Sequence, residues 1–290
     1  MLNFLVNPKA GCKNGKKIEK AVKTIKEYLD GKKIEYKIYY TAKKGDATTI
    51  TEELTSKKVD NIIAVGGDGT LHEVINGFKD FSNTALGIIP CGTGNDFASS
   101  LKIPFNVIDA VEHILNGIPK FTDFMQMPTI RGLNIIGMGM DVEVLKKYEK
   151  LKRKTKFGYY SCLIKTLLKF DYTKFTTIIN GEKTEHDAFM ACIANGNQYG
   201  GGIRVCPIAD PTDKELNFLT VNKIKKSKIL GALIKLLKGK ILTLPQTKTE
   251  KIKNIKIECE TPYTVNVDGE LYENIPFEIE IVSNKLMVYR

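Results

Sequence analysis

The chain has 290 residues, 42% of them hydrophobic, enough for a substantial core and slightly long for one ordinary domain, so two domains are expected. Lys and Arg number 44 against 33 Asp and Glu, and the net charge of +11 draws the chain towards polyanions: nucleic acid, an anionic membrane or nucleotide phosphates. Six cysteines without a CxxC pair exclude a zinc ribbon and a dithiol redox motif, and no apolar run approaches the roughly 18 to 20 residues that cross a bilayer, so any membrane contact is expected to be peripheral.

Residues 2–6 form a short apolar run followed at once by Asn-Pro and lysines. The run is too short for a signal-peptide core and reads as a first buried strand, which with reduced thiols points to a cytoplasmic chain. A helix over 16–29, a strand over 36–40, a helix over 46–56 and a strand over 61–65 follow. Then come a helix over 71–78, a strand over 85–89 and helices over 95–101 and 107–116. Strands that are apolar throughout, alternating with helices, predict an α/β domain over 1–122 built on a parallel sheet covered on both faces. After Asp123 the texture changes to β-branched and aromatic runs at 134–138, 175–179, 189–194, 216–221, 252–259, 263–267 and 277–282. These predict a mainly antiparallel β-sandwich or barrel over 123–290, with helical inserts at 145–170 and 227–238.

Three glycine-containing loops follow three of the strands in the first half, at the carboxyl ends where an open parallel sheet binds its ligand. They are Asn7-Pro8-Lys9-Ala10-Gly11, Gly66-Gly67-Asp68-Gly69-Thr70 and Gly92-Thr93-Gly94-Asn95-Asp96. Glycine lets backbone N–H groups approach a phosphate, and a helix N-terminus behind each loop adds a favourable dipole, so a nucleotide polyphosphate is the natural ligand. Taken singly, each loop reads more readily as a plain turn than as a functional loop, and it is their joint occurrence that carries weight. The sequence has neither the GxxxxGK[ST] loop nor a GxGxxG after the first strand.

In these motifs the chain resembles the diacylglycerol kinase catalytic-domain family, which includes bacterial lipid kinases and sphingosine kinases. Beyond the three loops the likeness runs on through Phe97-Ala98, Gly137-Met138-Gly139-Met140-Asp141, Asn195-Gly196, Gly200-Gly201-Gly202 and Val267-Asp268-Gly269-Glu270. The fold it implies is an α/β domain like that of NAD kinase and phosphofructokinase, followed by a β-rich lipid-substrate domain. The activity it implies is transfer of the γ-phosphate of ATP to a lipid hydroxyl, with diacylglycerol the first acceptor and Mg²⁺ required.

By the same resemblance Asn7, Thr41, Gly66, Gly67, Asp68, Gly69, Thr70, Leu71 and Thr93 contact ATP, while Asp68, Asp96 and Asp123 form a catalytic acidic cluster and Glu270 is the general base. Magnesium prefers a few carboxylates plus water, and a carboxylate can accept the proton of an acceptor hydroxyl, so the residue types suit those roles. On the residues alone, Thr41 is also a turn residue, Asp68 and Asp96 also suit helix caps, Asp123 a solvated junction, and Glu270 an exposed position beside an Asp-Gly hairpin turn. The segment 209–218 resembles a second, structural Mg²⁺ site, with Asp213 binding alongside the carbonyls of Leu216 and Phe218. It departs from the family's Asp-Gly-x-Leu-Asp pattern at Lys214 and Asn217, and also reads as a polar β-turn.

Two stretches, 146–156 and 223–240, are rich in basic residues, and the second interleaves its lysines with apolar residues at helical spacing. Such helices suit an anionic membrane surface, although a stripe packed on the core with solvated lysines reads the same way. Nucleic acid is not expected as a partner, because no binding motif accompanies the charge. A homodimer is left open. NAD kinase, which shares the glycine loop, and a catalytically idle nucleotide- or lipid-binding regulator are the competing readings.

Overall fold

The computed structural model describes residues 1–11, 15–151, 155–167, 172–259 and 263–290. They form two compact units, Met1–Asp123 with Ser283–Arg290, and Phe124–Val282.

In the first unit, β1 (Leu2–Val6), α1 (Lys16–Gly31), β2 (Tyr36–Tyr40), α2 (Asp46–Ser56), β3 (Asn61–Gly66), α3 (Asp68–Gly77), β4 (Ala85–Pro90), α4 (Asp96–Ser100) and α5 (Val107–Asn116) alternate as expected. The strands pair in parallel in the order β2-β1-β3-β4. Every residue of β3 and β4 is buried, which is what a strand covered by helices on both faces requires. α1 packs through Ile18, Ala21, Val22, Ile25 and Leu29, an apolar stripe at helical spacing. The last eight residues also belong here: Met287 and Val288 pair in parallel with Ala85 and Leu86 of β4. Leu286 and Val288 are fully buried, and that burial is the physical reason the chain's end leaves the β-rich half to which its texture assigned it.

The second unit takes in the end of β5 (Pro119–Gln126), then β6 (Arg131–Gly132), β7 (Ile135–Gly139), α6 (Met140–Glu149), α7 (Lys156–Leu167), β8 (Thr173–Ile179), β9 (Glu182–Ala194) and β10 (Leu216–Asn222). α8 (Ile229–Leu237), β11 (Thr247–Ile252), β12 (Asn254–Glu258), β13 (Thr264–Val267), β14 (Glu270–Glu273) and the first part of β15 (Glu278–Tyr289) complete it. Its pairings are antiparallel: β14-β13-β7-β9-β8-β12-β15 in a row, with β10 joining β9 to β11. β9 shows how one strand serves two cores. Met190, Cys192 and Ala194 face a cluster shared with α6, α7 and α8, while Ala191 and Ile193 face the cluster around Phe175, Phe218 and Val265.

The predicted insert over 145–170 is two helices, beginning at Met140, and its residues 168–170 lie outside the described set. The run over 252–259 is the junction of two strands, β11 and β12, and β5 and β14 have no counterpart among the predicted elements. The five described cysteines are unpaired, and Cys12 lies outside the described residues. Among the described residues no helix is long and apolar enough to cross a membrane.

Candidate active site

The three glycine loops of the first unit meet one another at the carboxyl ends of β1, β3 and β4. The Asn7 side-chain amide donates to Thr70 Oγ1 at 3.0 Å, tying the first loop to the second. The second and third touch backbone to backbone: Cys91 and Gly92 N–H donate to the Gly66 carbonyl at 2.7 and 3.1 Å. A Cβ on Gly67 would stand 2.8 Å from Gly92 Cα, and one on Gly92 would stand 2.4 Å from Gly67 Cα. No side chain fits at either position without parting the loops. Thr41 closes β2 beside them, its N–H donating to the Val6 carbonyl at 3.0 Å. The turn after it is held by Asp46, whose carboxylate accepts from Ala42 and Lys43 N–H at 2.8 and 3.0 Å. Thr93 and Gly69 are exposed, whereas Thr70 and Leu71 are buried.

Asp68 caps a helix, but not its own. Its Oδ2 accepts Asn95 N–H at 2.7 Å, and its Oδ1 accepts Asp96 and Phe97 N–H at 2.8 and 3.3 Å, so it neutralises the start of α4, 28 residues on. Asp96, only 4% exposed, turns its own carboxylate to the same place: a Cβ on Gly94 would lie 2.7 Å from Asp68 Oδ2 and 3.0 Å from Asp96 Oδ2. Asp123 is buried at the end of the first unit. No group of three or more His, Cys, Asp or Glu among the described residues forms a metal-holding cluster, so the three aspartates are not a closed protein cage. The Asp68 and Asp96 pair still fits magnesium, which takes one or two carboxylates and completes its shell with water and phosphate oxygens.

In the second unit Glu270 opens β14 directly after a two-residue turn, in which Asp268 and Gly269 have φ of +54° and +95°. Two positive φ values match the hairpin turn that Asp-Gly favours. The turn is clamped by side chains, of which the sequence motifs named Asp268 and Asp141 without a role and did not include Asn266. Asp268 accepts Leu133, Asn134 and Ile135 N–H at 2.6, 2.8 and 3.0 Å, anchoring the turn to the start of β7. Asn266 Oδ1 accepts Gly269 N–H at 2.8 Å, and its Nδ2 donates to Asp141 Oδ2 at 3.2 Å. Burial pushes the Asp141 carboxyl from 3.8 up to about 7, against the smaller downward pull of the Asn266 amide and the N–H groups that open α6.

Asp213 lies in the turn before β10, and Lys251 of β11 reaches it: the ammonium is 3.1 Å from Asp213 Oδ2 and also bonds Glu215. These bonds, to Glu215 first and Asp213 next, raise the Lys251 pKa. Lys214 takes a φ of +63° where the family pattern has glycine, and Phe218 sits inside β10 between β9 and β11. With the Lys251 ammonium already on Asp213, the donor set as it stands suits a lysine bridge rather than a divalent cation.

α8 is apolar on two sides. Ala232, Leu233 and Leu236 face the core, while Leu230, Ile234 and Leu237 are exposed, 68%, 46% and 45% respectively, among Lys225, Lys228, Lys235 and Lys238. Phe157 and Ile164 of α7 are exposed as well. Of the other basic stretch, residues 152–154 lie outside the described set.

Residues 1–127 match the family model described as diacylglycerol kinase catalytic domain, and residues 134–290 match that described as YegS C-terminal NAD kinase beta sandwich-like domain. A diacylglycerol kinase of Staphylococcus saprophyticus is 30% identical over 243 residues, spanning 82% of this chain and 79% of that one. The crystal structure of a diacylglycerol kinase from Bacillus anthracis is similar with a TM-score of 0.74 at 26% identity, over 99% of this chain and 96% of that one. An NAD kinase from Archaeoglobus fulgidus in complex with ATP shares the fold, with a TM-score of 0.55 at 15% identity over 100% of this chain and 94% of that one.

Proposed function

Since the chain belongs to the diacylglycerol kinase catalytic-domain family, and is by that membership a phosphotransferase of the lipid-kinase kind, we propose that it transfers the γ-phosphate of Mg-ATP to diacylglycerol, giving phosphatidic acid. The observation that carries the nucleotide half is the side-chain-free contact of Gly67 with Gly92, beside which the Asp68 and Asp96 carboxylates converge. Glycine backbone on one side and two carboxylates on the other suit a phosphate chain with its magnesium. Three N–H groups donate to Asp68 and hold its carboxylate in place beside that of Asp96. Asn7, Thr41, the loop from Gly66 to Leu71, and Thr93 line the ATP phosphates and ribose in this reading, with Asp123 as a further acid.

Glu270 takes the proton of the acceptor hydroxyl as its oxygen bonds the γ-phosphorus. The bond to the β–γ bridging oxygen breaks, and ADP leaves. The exposed apolar stripe of α8 and its lysines fit peripheral attachment to an anionic bilayer, where such a substrate resides.

Incubation with γ-labelled ATP and a total lipid extract tests this reading, with the labelled product expected to be phosphatidic acid. Label on another lipid corrects the acceptor. Label on NAD, included as a separate arm, overturns the reading in favour of an NAD kinase.

A further inference from the structure

We propose that Asp141 is a positioning residue for Glu270: its carboxyl, acting through the Asn266 side chain, fixes the turn from which Glu270 projects. The inference rests on Glu270 being the proton acceptor.

The path is short and wholly side-chain made. Asp141 stands in the first turn of α6 and is 2% exposed. It lies over Gly137 of β7, where a Cβ would come within 2.0 Å of Asp141 Oδ2, so the absent side chain is the space the carboxyl fills. From there Oδ2 accepts the Asn266 amide at 3.2 Å. The other end of the same amide, Oδ1, accepts Gly269 N–H at 2.8 Å. Gly269 is the residue before Glu270. Two hydrogen bonds thus connect α6 to the peptide that sets the direction of Glu270.

The carboxyl is costly where it stands. Met140, Val144, Cys192 and Ala194 belong to the apolar cluster on this face of the sheet, and Asp141 Oδ1 meets no hydrogen-bond partner among the described residues. A residue needed only to fill the space above a glycine would be apolar. Asp141 does what an apolar residue cannot: it orients Asn266, whose amide, left to rotate, would present nitrogen instead of oxygen to Gly269. Asp268 holds the turn's other edge through the N–H groups of 133–135, so without Asn266 the turn keeps its place and loses its rotation. For a general base, whose contribution is typically about 10²- to 10⁴-fold, rotation out of hydrogen-bond reach removes most of the effect.

The test is a cycle of Asp141→Ala, Asn266→Ala and the double variant, with Asp141→Asn as the conservative control. Each single alanine variant is expected to lower kcat by about 10- to 100-fold with KM for ATP unchanged, the double variant to be no worse than either single, and Asp141→Asn to recover most of the loss because its amide oxygen accepts the same bond. Hydrogen exchange at the Gly269 amide, read by NMR, should speed up in both alanine variants and not in Asp141→Asn. Wild-type kcat in Asp141→Ala, multiplied losses in the double variant, or an unchanged Gly269 amide overturns the proposal. Glu270→Gln is assayed alongside. If it retains full activity the proton-acceptor reading fails by itself, while Gly269 exchange still reports whether the relay exists.

Discussion

Replacing Asp141 by Asn should make stability less dependent on pH, and the direction follows from burial. Unfolded, the carboxyl titrates near its ordinary 3.8; folded, it titrates at about 7. Between those values the folded chain keeps a proton that the unfolded chain releases, so this group's contribution to wild-type stability falls as pH rises through the window and is flat above it. At about 1.4 kcal/mol per pH unit, the full rise corresponds to roughly 4 kcal/mol. Asn cannot ionise and keeps the bond from Asn266. The variant should therefore gain on the wild type by as much as roughly 4 kcal/mol between pH 4 and pH 8. Cys192 and Tyr199, which also interact with Asp141, are pushed well above their ordinary values by burial, stay neutral throughout and add nothing to the slope. The chain has no Trp, so urea unfolding is followed by far-UV circular dichroism at several pH values. Other titrating groups are common to both proteins and cancel in the difference. A difference that stays constant with pH would show that the carboxyl is already charged at low pH, and would refute the reasoning.

Gly92→Ala should part the second and third loops, costing about 1 to 3 kcal/mol and weakening ATP binding; wild-type ATP affinity by calorimetry would contradict the backbone contact of Gly67 with Gly92. With Lys251 bridging Asp213 and Glu215, the melting temperature of the nucleotide-free protein should not respond to chelator, whereas that of Lys251→Met should rise with added magnesium. A chelator-sensitive wild type would restore the cation site. Leu230→Glu with Ile234→Glu should leave the fold intact, since both side chains are exposed, and lower binding to vesicles rich in phosphatidylglycerol. Equal binding of wild type and variant would remove α8 from the membrane surface.

The first unit was legible because its code is local. Apart from Asn61 at the start of β3, β3 and β4 are apolar throughout, and each is followed within a few residues by the glycines that shape its loop. The second unit hid strands whose side chains face water. β11 reads Thr-Lys-Thr-Glu-Lys-Ile and the first half of β9 is mostly charged, so neither shows an apolar run, and only backbone pairing with neighbours makes them strands. The end of β15 is apolar enough to be seen as a strand, but its partner Ala85 is some 200 positions away, and no local pattern points there.

The candidate site divides in the same way, and the division bears on substrate choice. The phosphate side is shaped by backbone against backbone at Gly67 and Gly92, where any side chain is a clash, so the sequence has one solution and displays it as glycines. Glu270 is oriented instead by side chains: Asp268 on the amides of 133–135, and Asn266 between Gly269 and Asp141, contacts that, the local Asn266–Gly269 bond aside, span more than 120 residues. Such clamps can be exchanged without altering a strand or a turn, because Asp, Asn and their partners act through side chains rather than through the backbone. A fold that fixes its nucleotide side by glycine and its acceptor side by exchangeable polar pairs can keep one phosphate donor and adapt to different lipid hydroxyls. In this chain the residues that tune the acceptor are then to be sought around Asp141, Asn266 and Asp268 before the loops proposed to hold ATP.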